Sequence, residues 1–197
     1  MGSSGPGRPI DRSIDDRVLA ITASHLAFHG YEAMSLVVIA KEAGTTRQAL
    51  YRRWPSKADL ATAAIGVLAG AEPRPTTNDH YADLVNELKN FQRGVSRPDG
   101  LAMVGTMLNS ATDPELVQLY RQRIVAPRRA VLNRILQRAQ AAGLLDDDPD
   151  IAIAVTMLTG NWYARALAGD GPPRMWAERT AALIWRALGG EQSTTHS

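Results

Sequence analysis

The chain contains no cysteine, which excludes disulfide stapling, thiolate zinc sites and cysteine nucleophiles. Aromatic residues are few, 6% of 197, with only two phenylalanines. Long hydrophobic runs are missing. The longest nearly apolar stretch, Ile151–Leu158, falls far short of the ~20 residues that cross a bilayer. No secretory h-region or transit peptide opens the chain, so a cytoplasmic location without membrane association is expected. Period-2 alternation is also wanting, which argues against strands. There is no G-x-S-x-G, Walker or dinucleotide fingerprint. Nothing therefore points to an enzyme, and no catalytic residue, metal or cofactor is expected.

What is present is an ordinary globular balance, 45% hydrophobic and 21% charged, enough for one or two domains with a sizeable core. The net charge of +2 gains meaning when it is split along the chain. Residues 1–60 carry 8 basic and 6 acidic side chains, and residues 61–197 carry 14 of each. Within 41–57 there are five basic residues, Lys41, Arg47, Arg52, Arg53 and Lys57, against one acidic, Glu42. Such a focus suits a polyanionic partner.

The pattern predicts an all-α protein of about nine helices. A flexible arm, 1–11, precedes a helix over Arg12–His29 that ends at Gly30. A short helix, Leu36–Ala43, has Ser35 in the N-cap place and Gly44 where a left-handed turn belongs. The next helix, Arg47–Trp54, begins after Thr45 or Thr46 and stops at Pro55. Ser56-Lys57-Ala58-Asp59 then reads as a capping box. After a linker near 71–78, helices are expected at about 79–95, 99–111, 114–142, 149–168 and 174–188. Asp113-Pro114 and Asp148-Pro149 both look like N-cap and N1 pairs, and Pro127 should kink the long helix. Residues 12–60 are expected to form one domain, 61–188 a second, and 189–197 a disordered tail.

Two short helices joined by a tight turn, over about 36–54, form a helix-turn-helix pattern. Ile39, Ala40 and Ala43 would meet Leu50 and Trp54 in a small core, leaving Arg47, Gln48, Tyr51 and Arg52 outward. Arginine can bridge guanine O6/N7 and glutamine adenine N6/N7. Thr46, Tyr51, Arg52, Arg53 and Lys57 suit phosphate oxygens. The stretch Gly30–Leu60 closely resembles the DNA-binding domain of TetR/AcrR-type transcriptional regulators. The matching residues are Gly30-Tyr31, Ser35, Ile39-Ala40, Ala43-Gly44, Leu50-Tyr51, Trp54-Pro55-Ser56-Lys57 and Leu60. Further on, Asp113-Pro114-Glu115-Leu116, Tyr120-Arg121, Pro127-Arg128-Arg129, Gly160 and Tyr163-Ala164-Arg165 resemble a subfamily with its own ligand-binding domain. Three positions depart from the family pattern. Val38 replaces a commonly acidic residue, Val37 can offer only a thymine-methyl contact, and Gln48 enlarges the reading surface.

The resemblance implies a homodimer that binds an inverted-repeat operator in double-stranded DNA and is released by a small-molecule effector. Its DNA contacts would come from Ser35, Thr45, Thr46, Arg47, Gln48, Ala49, Tyr51, Arg52, Arg53 and Lys57. Phe91, Met103, Met107, Tyr120, Trp162 and Tyr163 could line a pocket or simply pack a core, with Asn161 and Arg165 as polar groups that orient a ligand. Ile151, Val155 and Leu158, with Trp176, Leu183, Ile184 and Leu188, are the expected dimer stripe. His25 and His29 stand at i, i+4, a metal-pair spacing, but without a third ligand nearby they read as core or partly buried histidines. A repressor is the expected function. An activator, a ligand-independent regulator, or a helical protein-interaction module are the alternatives.

Overall fold

Capping residues set the helix boundaries in this chain. The computed structural model describes residues 12–69, 77–96 and 113–191, and every regular element among them is helical. They are α1 (Arg12–Ala33), α2 (Leu36–Glu42), α3 (Arg47–Arg53), α4 (Lys57–Ala69) and α5 (His80–Val95). There follow α6 (Pro114–Tyr120), a π-helical turn (Arg121–Val125), α7 (Ala126–Ala141), α8 (Ile151–Leu167) and α9 (Trp176–Ala187). The helix expected over 99–111, with Met103 and Met107, lies outside the described residues, as does the arm at 1–11.

Side-chain acceptors close the open amides at several starts. Thr46 accepts from the Ala49 amide at 3.1 Å, and Asp113 from Leu116 at 3.0 Å. In the expected capping box, Ser56 Oγ accepts from the Asp59 amide at 3.0 Å and donates to Asp59 Oδ2 at 3.2 Å. The start placed at Asp148 is corrected. Asp150 caps α8, its Oδ1 taking the Ile153 amide at 2.9 Å, so the helix begins two residues later. At the other end of the chain, Gly189 has φ 81, and the Gly190 amide returns to the Trp185 carbonyl at 2.9 Å. Residues 189–191 are therefore folded back on α9 as a helix-closing turn, and do not begin a loose tail.

Two hydrophobic cores result. The first gathers Val18, Leu26, Ile39, Ala43, Leu50, Leu60 and Ile65 from α1–α4, and it is completed by Leu116 of α6 and Ile124 of the π-turn. The boundary expected after residue 60 thus falls inside α4, whose Ala61, Ala64 and Ile65 belong to this same core. The second core joins α5, α7, α8 and α9 through Leu88, Phe91, Leu136, Leu158, Trp162, Trp176 and Ile184. Gly94 permits α5 to approach the end of α4, because a Cβ there would stand 3.0 Å from the Ala69 carbonyl oxygen. Arg128 of α7 donates to that same carbonyl at 2.7 Å.

The kink expected at Pro127 takes the form of the π-turn just before it. Proline has no amide to give the Arg123 carbonyl and its ring crowds that group, so the preceding turn widens. The Ala126 amide bonds instead to Arg121, five residues back.

Candidate nucleic-acid interface

The turn between α2 and α3 is built from backbone. Gly44 stands at φ 69, the left-handed conformation that glycine adopts without a Cβ penalty. Its amide returns to the Lys41 carbonyl at 3.2 Å, and Thr45 to Ala40 at 2.9 Å, closing α2. Thr46 then opens α3. Ala40, Ala43 and Leu50 are buried between the two helices, so their separation and angle are fixed by close packing.

This packing turns Arg47, Gln48, Tyr51 and Arg52 outward, all exposed, along one side of α3. Val37 and Val38 of α2 stand exposed as well. Arg47 and Tyr51, one turn apart, are coupled: Arg47 Nη2 donates to the Tyr51 hydroxyl at 3.1 Å, and the guanidinium lies 5.2 Å from the ring centroid. One of the five guanidinium donors is thereby occupied and the rest remain for a partner.

Several expected contacts have other tasks. Ala49 is buried and its amide serves the Thr46 cap, so it offers no side-chain surface. Arg53 is ion-paired to Asp15 of α1 at 2.6 Å, which ties the end of α3 to α1. Lys57 donates to the Glu32 carbonyl at 3.0 Å and sits 4.6 Å from the centre of the Tyr31 ring. Ser35 caps α2 through a long 3.5 Å contact to the Val38 amide. His25 Nε2 pairs with Glu42 at 3.0 Å, bridging α1 to α2, and no group of three potential metal ligands occurs among the described residues.

Tyr31, which had no assigned role from the sequence, and Asp113, expected there only as a cap, join the first core to α6. Burial, then the hydrogen bond to Asp113, push the Tyr31 phenol far above its usual value. The same hydrogen bond holds the Asp113 carboxyl below the usual aspartate range. No periodicity signals such a pair.

Comparison with known proteins bears on this geometry. Residues 19–64 match the family model for bacterial regulatory proteins of the tetR family, and residues 74–184 that of a tetracyclin repressor-like C-terminal domain. The chain belongs to the TetR family. It is 24% identical over 191 residues to the HTH-type transcriptional regulator YdeS of Bacillus subtilis, covering 96% of this chain and 95% of that one. It is 27% identical over 172 residues to the HTH-type transcriptional regulator AqdR of Rhodococcus erythropolis, covering 86% of this chain and 83% of that one. The crystal structure of the TetR family regulator SCO0332 superposes with a TM-score of 0.65 at 27% identity, over 89% of this chain and 98% of that one. A TetR regulator from Agrobacterium tumefaciens shares the fold at a TM-score of 0.69 and 17% identity, over 93% and 96% of the two chains. The protein is a transcriptional regulator with a DNA-binding helix-turn-helix, and not an enzyme. No described helix is long and apolar enough to cross a membrane.

In the TetR-type C-terminal part, several expected ligand residues form one aromatic cluster. The Phe91 ring lies 6.3 Å from Trp162, 5.7 Å from Tyr163 and 5.8 Å from Trp176. Arg128 stands 5.3 Å from the Phe91 centroid and 3.6 Å from Glu87. Burial raises the phenols of Tyr120 and Tyr163, the latter to about 12. The polar candidates have internal partners: Asn161 accepts from Trp176 Nε1 at 2.6 Å and donates to the Met157 carbonyl at 2.7 Å. Arg165 donates to the Gly171 carbonyl at 3.1 Å.

The expected dimer stripe needs correction. Val155, Leu158, Trp176, Ile184 and Leu188 are buried in the protomer's own second core, and half-buried Ile151 packs against it. Only Leu183 of that set is outward, 59% exposed. Ile153 and Met157 stand exposed on α8. An open groove of about 660 Å³ runs over the outer faces of α8 and α9, lined by Met157, Gly160, Leu183, Arg165, Arg179 and Arg186 among others.

Proposed function

We propose that the protein is a dimeric repressor that reads an inverted-repeat operator with two copies of α3 and is released by a small molecule. The exposed face of Arg47, Gln48, Tyr51 and Arg52 on a packed helix-turn-helix carries the reading. Helix-turn-helix proteins contact base edges with the start of the second helix, where Arg47 and Gln48 lie. Tyr51, Arg52, Thr45 and Thr46 hold phosphates beside it, and Lys57 has donors left for the same purpose. Twofold symmetry would set the two reading helices about 34–36 Å apart, one helical turn of DNA.

The second copy docks on the outer face of α8 and α9. Ile153, Met157 and Leu183 leave apolar surface in water there, and the absence of a side chain at Gly160 favours close approach. The effector binds in the C-terminal part beside Phe91, Trp162, Tyr163 and Tyr120, where aromatic surface meets the Arg128 guanidinium. Selection of duplexes from a randomised pool tests the proposal. Recovery of an inverted repeat supports the dimeric reader; a single half-site, or no enrichment, rejects it.

A further inference from the structure

Two residues in the first turn of α4 connect to one neighbouring stretch of the C-terminal part, Lys57 by way of Tyr31 of α1 and Asp59 directly. Lys57 rests on the Tyr31 ring, and Tyr31 is hydrogen-bonded to Asp113, the N-cap of α6. Asp59 is held more directly. Its Oδ1 lies 2.6 Å from Arg123 Nη2, while its Oδ2 accepts from Ser56 Oγ at 3.2 Å. A single carboxylate thus completes the cap of α4 and ties that cap to the π-turn.

The π-turn explains why Arg123 can reach. In an unbroken α-helix, Leu116 and Ile124 would point roughly 80° apart. The Ala126-to-Arg121 bond takes one more residue into the turn, and both Leu116 and Ile124 are buried in the first core. With Ile124 seated there, Arg123 is presented to α4. Such π-turns recur at functional sites, because they hold a side chain in a register the α-helix does not offer. On the other side of Asp59, only Trp54, Pro55 and Ser56 separate α3 from α4. The pose of the first α4 turn therefore sets where α3 ends.

We infer that Arg123 is a positioning residue for DNA binding: from the π-turn it fixes the first turn of α4 through Asp59, and so fixes how α3 is presented. The inference rests on the DNA-reading role proposed above. Arg123 touches no DNA in this account; it acts through the helix it holds.

The test compares wild type, Arg123→Gln and Arg123→Lys on a duplex chosen by the wild-type protein from a randomised pool. Amide hydrogen exchange at Asp59 and Leu60 is followed in the same proteins without DNA. Arg123→Gln is expected to bind about three- to fivefold more weakly at every salt concentration, the scale of a partly exposed ion pair. Its salt slope should stay that of wild type, since no phosphate contact is lost. The two amides should exchange faster, and Arg123→Lys should recover most of both effects. Unchanged affinity, or a salt slope lower by about one unit, overturns the inference, the latter by making Arg123 a phosphate ligand. If the wild-type protein selects no duplex, the DNA reading fails. The exchange arm then still decides whether Arg123 holds α4, and unchanged protection overturns it.

Discussion

At the scale of single residues, the reading surface divides into groups that are already engaged and groups that await a partner. Arg47 is preorganised by Tyr51, through both the hydroxyl and the ring face. Gln48 has no such support on α3 and lies exposed. Gln48→Ala is therefore expected to relax base preference at one symmetric pair of operator positions, by ~1–3 kcal/mol of discrimination, while nonspecific affinity holds. Tyr51→Phe leaves the ring under Arg47 but removes its acceptor, so the preference that weakens should be the one Arg47 enforces. A randomised-operator selection on both variants at one salt concentration reads the difference; a wild-type base profile in Gln48→Ala would remove Gln48 from the reading set, and one in Tyr51→Phe would mean that Arg47 reads without the Tyr51 hydroxyl. Tyr31 and Asp113 give a pH signature. The depressed Asp113 carboxyl adds stability above the ordinary aspartate pKa, and this is lost as pH falls through its folded value. Tyr31→Phe should thus be less stable than wild type near neutrality, and the gap should close on acidification. Denaturation curves at a series of pH values check it, and a gap that stays constant or widens toward acid would refute the coupling.

At the scale of elements, what the sequence discloses is local. Thr46, Gly44, Ser56 with Asp59, and Asp113 all sit where their chemistry is required within one turn of the residues they serve, and each is legible before any coordinates exist. Thr46→Ala should cost about 1 kcal/mol of stability in urea denaturation, with Thr46→Ser restoring most of it, because the hydroxyl serves the Ala49 amide. A loss well under half that size would mean water replaces the cap. Elsewhere local pattern runs out. Between Asp148 and Asp150 the sequence offers two acceptors around one proline, and only the fold selects Asp150. Pro127 announces a disturbance, but its form depends on Leu116 and Ile124 sharing a core with α1–α4. The pairs Asp59–Arg123 and Arg53–Asp15 join residues from different helices, which no helical periodicity can couple.

At the scale of the whole molecule, α8 shows why an interface is harder to read than a site. Ile151–Leu158 is apolar nearly all round, so the phase of its burial is not encoded in its own pattern. The fold supplies that phase: Val155 and Leu158 turn inward against α5 and α7, leaving Ile153 and Met157 outside. On α9 the adjacent pair Leu183 and Ile184 divides in the same way, one 59% exposed and the other 4%. This neighbouring pair makes a controlled experiment. Ile184→Asp places a carboxylate in the protomer's own core, where an unpaired charge is costly, and the expected result is unfolding. Leu183→Asp changes a side chain already in water, so each protomer should keep its helicity and its melting cooperativity. If the second copy docks on α8 and α9, Leu183→Asp sediments as a folded monomer, and operator affinity falls by far more than the loss of one contact explains, because two half-sites are no longer linked. A Leu183→Asp protein that remains a dimer with wild-type operator binding would place the twofold axis on another face of the molecule.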